Sequence, residues 1–262
     1  MKKLLSLLVV LSMLVASLSG ITLTAAAEDA TTLTPAEDGY YYISTAAEFN
    51  LIAATEAANG TPGNYRITAD ITEAITTSIP KFSGTITGWD AETGKEAYRT
   101  INIALTSATG TTIGSYLYLG LFNELAGEAK ASYLKLTGTI TDKTMTNSAY
   151  VGALAGKTNA NVEINNIINN KADIDVVASY AGGIVGCSLG KSITNCKNTA
   201  LVKGKASAGG IVGESNSAGI IMDKLANTGK IDRYNASGAA AGIIGQLKAA
   251  TDVTNSYNHG DI

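Results

Sequence analysis

Apolar residues in the second half of the chain come in short runs, each cut off by glycine or a polar turn. None holds helical spacing over a helix-length stretch. Four runs align without gaps through seven positions: Tyr150-Val-Gly-Ala-Leu-Ala-Gly156, Tyr180-Ala-Gly-Gly-Ile-Val-Gly186, Ser207-Ala-Gly-Gly-Ile-Val-Gly213 and Ala239-Ala-Ala-Gly-Ile-Ile-Gly245. A weaker relative, Tyr118-Leu-Gly-Leu-Phe-Asn-Glu124, precedes them, and the starts lie 32, 30, 27 and 32 residues apart. A second block follows each run after a polar turn and ends at Asn169, Asn198, Asn227 or Asn258. A third, shorter apolar run often comes next, as in Ala172-Asp-Ile-Asp-Val176 and Ala200-Leu-Val202.

A period of this length indicates a solenoid, propeller or array. Each period holds two or three short strands that cannot bury an apolar face alone, whereas stacked units can. A propeller blade needs roughly 40 residues and four strands, more than this spacing supplies. The pattern therefore predicts an all-β chain wound as a parallel β-helix, with coils stacked about 4.8 Å apart. Equivalent residues then lie one above another. Phe122, Leu154, Ile184, Ile211 and Ile243 are expected to form an aliphatic ladder. Asn169, Asn198, Asn227 and Asn258 are expected to form another at a turn, where asparagine tolerates left-handed geometry and its amides bond along the stack.

Residues 40–117 read as the capping start of the same solenoid, and 118–262 as its repeat coils. Thr45-Ala-Ala-Glu48 is a capping box, with Phe49, Leu51 and Ile52 at helical spacing and Asn59-Gly60 as a stop. One short amphipathic helix closing the end of the core is predicted. Strands are predicted at 65–72, 82–87, 100–106, 116–122 and 133–140, with a protruding loop at 89–96. The sequence stops where the third strand of its last coil should begin, so the expectation is a truncated array whose open end can associate with another copy.

Lys2 and Lys3, the apolar stretch Leu4–Leu18 and the small residues Ala25-Ala-Ala27 have the form of a cleaved secretory leader over 1–27, followed by an exported linker over 28–39. No cysteine follows the apolar stretch, which argues against a lipid anchor. An extracellular or cell-surface location is expected. The chain of 262 residues is 45% apolar but only 16% charged, against about 25% for an average soluble domain, which favours strands and turns. Its formal charge is −3, and removing Lys2 and Lys3 leaves 17 basic against 22 acidic residues. Such a surface gives no electrostatic reason to bind nucleic acid or an anionic membrane. No later stretch is long and apolar enough to span a bilayer.

Gly182-Gly-Ile-Val-Gly186 and Gly209-Gly-Ile-Val-Gly213, with Ile193-Thr-Asn-Cys-Lys-Asn198 between them, resemble the GLUG motif of bacterial surface proteins. Ile43-Ser-Thr-Ala-Ala-Glu-Phe49, Tyr65-Arg-Ile-Thr-Ala-Asp-Ile71 and Phe82-Ser-Gly-Thr-Ile-Thr-Gly88 look like the segment that commonly precedes such repeats. The resemblance implies a right-handed parallel β-helix on a secreted or surface-displayed protein, adhesin-like or placed ahead of a metallopeptidase. The second option lacks its residues: there is no HExxH, and His259 is the sole histidine. Ala153 and Ala241 stand where the middle repeats have glycine.

Chemistry has few candidates. Asp173 and Asp175 share one strand face, and Asp142, Glu163 and Asp223 could approach them as a glycosidase or lyase cluster, which needs carboxyls about 5–9.5 Å apart. Solvated surface charge is the favoured reading, and Asp173-Ile-Asp175 alone is no calcium loop. Cys187 and Cys196 leave a disulfide and two free thiols equally open, with a structural role in either case. Tyr118, Tyr150 and Tyr180 occupy equivalent positions. Outward, they would make an aromatic strip for sugars or a protein partner; alternation with Phe122 favours inward. The expected function is a non-enzymatic binding module, with no cofactor or metal and no site residue assigned. Its partner would be an unspecified host or cell-surface protein or glycan. The alternatives are a carbohydrate-active β-helix enzyme and a structural stalk.

Overall fold

A computed structural model of the protein describes residues 31–143, 148–177 and 180–262. The leader assigned to 1–27 and the first residues of the linker lie outside the described residues. Residues 32–262 wind into a parallel β-solenoid of about six turns. One coil shows the plan. Strand Ala149–Gly152 runs into a tight corner at Ala153-Leu154, strand Ala155–Thr158 leaves it, and Glu163–Val176 builds the remaining wall. The next coil repeats this as Tyr180–Gly182, Val185–Ser188, Ser192–Thr194, Lys197–Asn198 and Val202–Gly204. Equivalent strands of these coils pair in parallel.

The glycines explain how two strands can meet so sharply. A Cβ on Gly182 would come within 2.0 Å of the Val185 carbonyl across the corner. One on Gly183 would come within 2.1 Å of the Gly210 carbonyl in the next coil. Only a hydrogen fits in either place.

The aliphatic ladder forms with one change. Leu154 N–H donates to Ile184 O (3.0 Å), Ile184 to Ile211 (2.9 Å) and Ile211 to Ile243 (2.9 Å). Phe122 N–H donates in the same way to Leu154 O (2.9 Å), but Phe122 is out of strand register with Leu154. Leu119 pairs with Val151, yet Phe122 pairs with Ala155, so the first repeat is one residue short at its corner. Leu121 lies at the ladder's foot, its N–H donating to Ala153 O (3.1 Å). Phe122 instead packs on Phe82 and Phe49, with ring centroids 4.8 and 6.2 Å away.

The asparagine ladder is interior. Asn198 Nδ2 donates to Asn227 Oδ1 (2.8 Å), and Asn227 Nδ2 to Asn258 Oδ1 (2.6 Å); Asn169, in register with Asn198, instead donates to Gly183 O (2.8 Å). Within their own turns, Asn198, Asn227 and Asn258 also bond the backbone two residues on, at Ala200 O, Gly229 O and Gly260 O. These residues are not left-handed, contrary to expectation. Positive φ falls three positions earlier, at Asn166, Asn195, Lys224 and Asn255, with Tyr133 in the coil before. The backbone reverses there so that the next residue points inward, while the buried amides serve as hydrogen-bonding cores of a separate bend.

The cap is two helices rather than one: α1, Ala46–Asn50, and α2, Ile52–Asn59, broken at Leu51. The capping box is complete. Glu48 N–H donates to Thr45 Oγ1 (3.1 Å) and Thr45 N–H to Glu48 Oε2 (3.0 Å). Gly60 ends α2 at φ +66°. Ala46, Phe49, Ile52 and Thr55 face the core, so the helices cover its first coil. Some of the segment read as a linker is tied to this cap: Leu33 N–H donates to Thr55 Oγ1 (2.9 Å).

The predicted strands appear with shifted ends, at Asn64–Ile67, Ile71–Ile75, Thr85–Asp90, Arg99–Leu105, Tyr116–Leu119 with Phe122–Leu125, and Lys130–Asp142. The protruding loop is a small antiparallel hairpin, Asp90 pairing with Lys95. At its base the Arg66 guanidinium lies between Tyr40 (3.5 Å) and Trp89 (3.7 Å). No described helix is long and apolar enough to cross a membrane.

Asn198→Ala should cost roughly 2–3 kcal/mol in urea unfolding, because it strands the Asn227 acceptor and the Ala200 carbonyl in the core. Asn165→Ala, at the exterior corner, should cost below about 1 kcal/mol since water replaces its partners.

Candidate functional site

The carboxylates singled out from the sequence act as braces between coils. Asp173 Oδ1 accepts the Leu201 N–H (2.9 Å). Asp175 accepts the Tyr234 hydroxyl and pairs with Lys143 (3.3 Å). Asp142 accepts the Ser107 hydroxyl. Glu163 lies between Lys191 (2.6 Å) and Lys130 (3.5 Å), and the Lys191 hydrogen bond holds its carboxyl below the usual range. Asp223 Oδ1 accepts from Thr254 and Asn255, both at 2.7 Å, and these bonds lower its pKa too. In an earlier coil Asn165 has the same role, accepting from Thr194 (3.1 Å) and Asn195 (2.8 Å).

These acids do not converge. Glu163 and Asp223 precede the left-handed corner of their coils, whereas Asp173 and Asp175 follow a second corner at Lys171. Asp142 is in register with Val176, one step beyond Asp175 and so on the alternate face. Among the described residues, no three His, Cys, Asp or Glu side chains are grouped to hold a metal ion.

The cysteines are both free and buried, and they lie in different places. Cys196 packs in the main core, as its inward position predicts. Cys187 belongs to a second, separate cluster with Tyr118, Tyr150, Tyr180 and Leu189. Burial pushes both thiols up to about 12; at Cys187 the Glu214 carboxylate adds to the rise and Lys157 opposes it.

That second cluster overturns the inward reading of the tyrosines. On the same strands Leu119, Val151 and Ala181 are fully buried in the main core, so the alternate tyrosines point to the exterior. Alternation with Phe122 failed as a guide because a corner at Gly120-Leu121 separates the two strands. The rings are buried nonetheless, because they lie in a crease between the two strands of each corner. Glycines make that crease narrow: a Cβ on Gly186 would come within 2.6 Å of the Val151 nitrogen.

Inside the crease the rings stack. Tyr118 and Tyr150 have centroids 5.4 Å apart at 7°, and Tyr150 and Tyr180 4.7 Å apart at 11°. Tyr116 tilts against Tyr150 at 5.1 Å. Facing the rings is a ladder of dissimilar side chains, Glu124, Lys157, Cys187, Glu214 and Gln246. Lys157 pairs with Glu124 (3.4 Å) and lies 5.5 Å over the Tyr118 ring. Glu214, only 1% exposed, accepts the Tyr150 hydroxyl at 3.1 Å. Burial and that carboxylate raise the Tyr150 pKa far above its ordinary value, and Tyr118 and Tyr180 shift the same way.

Glu214 and Lys157 were not singled out from the sequence. Their signal was available: both follow the closing glycine of a repeat, where Cys187 and Gln246 stand in the neighbouring coils.

The coil that carries Tyr180, Cys187, Cys196 and Asn198 is also the one that comparison with known families picks out. Residues 177–202 match the GLUG motif. The match covers one coil, and the coils on either side carry aligned seven-residue runs in register with it, Tyr150–Gly156 and Ser207–Gly213. No curated protein and no solved structure matches the chain.

The raised thiols fix a pH dependence. Between pH 9 and about 12 the unfolded chain gives up thiol protons that the native chain keeps, so the contribution present below pH 9 is lost as pH rises. Urea unfolding should therefore show stability falling above pH 9. The fall should be shallower in a Cys187→Ser, Cys196→Ala double variant. Native protein at pH 8 should react with a thiol reagent only at the rate of its unfolding.

Proposed function

We propose that the GLUG solenoid is a secreted or surface-displayed binding module of adhesin type without catalytic activity, its contact surface including the half-buried Tyr180 end of the exterior tyrosine crease, whose other stacked rings, Tyr118 and Tyr150, are buried. The observation that carries this reading is the stacked row of Tyr118, Tyr150 and Tyr180 outside the main core, set against the buried Glu214 carboxylate. A row of rings spends apolar surface that the core does not use, and aromatic side chains with a polar handle are the residues most suited to contact surfaces. Asp142, Glu163, Asp173, Asp175 and Asp223 are each tied into a brace between coils, which disfavours a competing site among them. Export is supported by the Lys2-Lys3 leader pattern. The partner is a protein or glycan of a host or cell surface. The negative balance of charge disfavours nucleic acid and anionic lipid.

Purified chain immobilised on beads should retain cells or glycans saturably, and should release no sugar from pectins, glycosaminoglycans or host glycans. Turnover that disappears in Asp173→Asn or Asp175→Asn would replace this reading with the carbohydrate-active enzyme.

A second contact is favoured by the apolar side chains exposed in the last coil, Leu247 (56%), Tyr257 (49%) and Val253 (42%). We propose end-to-end association of copies through them. Light scattering should show mass rising with concentration, and less so in Val253→Lys; a monomer at all concentrations removes this contact.

A further inference from the structure

Between the left-handed corner and the asparagine bend, each coil turns one residue outward. Lys135 stands between the buried Leu134 and Leu136, Ile168 between Ile167 and Asn169, and Lys197 between Cys196 and Asn198. Register stacks these positions into one row along the solenoid axis: Thr100, Lys135, Ile168, Lys197, Ala226 and Tyr257. Beside it runs the corner, with Tyr133, Asn166, Asn195 and Lys224 in successive coils. Tyr98 packs on Tyr133 with ring centroids 5.6 Å apart and is 39% exposed.

This strip is open surface, and its charge is opposite to that of the chain. Lys197, Lys224 and Asn195 are exposed, and Lys135 and Ile168 are half-buried. The two rows carry three lysines and no carboxylate, on a chain of formal charge −3. Lys171, exposed at the next corner of the Ile168 coil, adds a fourth cation at the margin. Among the described residues, Lys135, Lys171 and Lys197 have no ion-pair partner, and Lys224 has only Asp223 at 3.9 Å. The acids on the flanks are engaged elsewhere: Asp223 by Thr254 and Asn255, and Asp173 by the Leu201 N–H. Unpaired like charges on one face repel each other, so an anion shared between them is favoured.

Spacing selects the anion. Lys135 and Lys197 lie two coils apart, about 9.6 Å at the ordinary strand separation, which is close to one disaccharide of an extended polysaccharide. Duplex nucleic acid presents a charge about every 1.7 Å, denser than this strip can neutralise and repelled by the acidic remainder of the chain. Ile168 between the two lysines, and the Tyr98–Tyr133 pair at one end, offer apolar surface to the C–H faces of sugar rings. We propose that this strip binds a linear acidic polysaccharide laid along the solenoid axis, its carboxylates or sulfates meeting Lys135 and Lys197 one disaccharide apart. The inference rests on the reading of the chain as a secreted binding module and gives it a surface separate from the tyrosine crease.

Isothermal titration of the purified chain with hyaluronan, κ-carrageenan and dextran tests this. Hyaluronan carries one carboxylate per disaccharide, κ-carrageenan one sulfate, and dextran no charge. At least one charged polymer should bind saturably, and the one that does assigns carboxylate or sulfate; dextran should not bind. Lys135→Gln combined with Lys197→Gln should weaken binding roughly tenfold or more. Salt at about 1 M, where charges are screened beyond roughly 3 Å, should abolish it. Both side chains point outward, so the melting temperature should hold; if the double variant melts early, Lys197→Gln alone serves and should still weaken binding several-fold. No binding of either charged polymer to folded protein, equal binding of dextran, or binding unchanged in the variants overturns the proposal. Duplex DNA bound more tightly than either polymer, and lost in the same variants, overturns it as well. A chain that binds neither polymer yet retains cells loses the strip and keeps the binding module; a chain that does neither loses both.

Discussion

Stacking parallel coils demands that every corner close at the same height, because a backbone hydrogen bond to the next coil tolerates only a few tenths of an ångström. The whole protein depends on that constraint. It decides where glycine must stand, since the two strands of a corner pass within contact distance of each other. It also decides where asparagine must stand, since a buried bend needs donors and acceptors directed both along the chain and along the axis. The interior amide row meets both needs at once: Asn198 and Asn227 close their own turns and reach the next asparagine, while Asn169 closes its turn and reaches the Gly183 carbonyl. Coils of unequal length are then tolerated, provided that the difference falls in the exterior turns or at a corner, as it does at Gly120-Leu121.

Much of this was legible in the residues. The seven-position repeat fixes strand, corner and strand, and the Thr45–Glu48 box fixes the start of the cap. The amide row follows from a recurring asparagine at the end of each second block. What misled was local inference carried across a corner. Alternation of faces holds within a strand, so Tyr118 and Phe122 could not be compared through Gly120. Left-handed geometry was assigned to Asn169 and its equivalents because asparagine tolerates it, yet Lys224 and Tyr133 adopt it as well. The backbone there is dictated by the stack and not by residue preference.

The crease was harder to read. Tyr118, Tyr150 and Tyr180 announce themselves by recurrence, but Glu214 and Lys157 occupy a position whose occupants change from coil to coil. A position that does not repeat its chemistry gives no periodic signal, and it is the natural place for a repeat protein to carry something specific. The regular positions hold the rod together, while the irregular ones distinguish one coil from its neighbour.

The column of left-handed residues has a consequence of its own. Tyr133, Asn166, Asn195, Lys224 and Asn255 share one strained backbone state, which costs a non-glycine residue roughly 1 kcal/mol and is held by the coils on either side. An aromatic, an amide and an ammonium already occupy the column at about 4.8 Å intervals. Since the neighbours impose the conformation, the side chain is free to change. The solenoid thus carries an addressable edge, a ruler on which new surface chemistry can be written one rung at a time without disturbing the core.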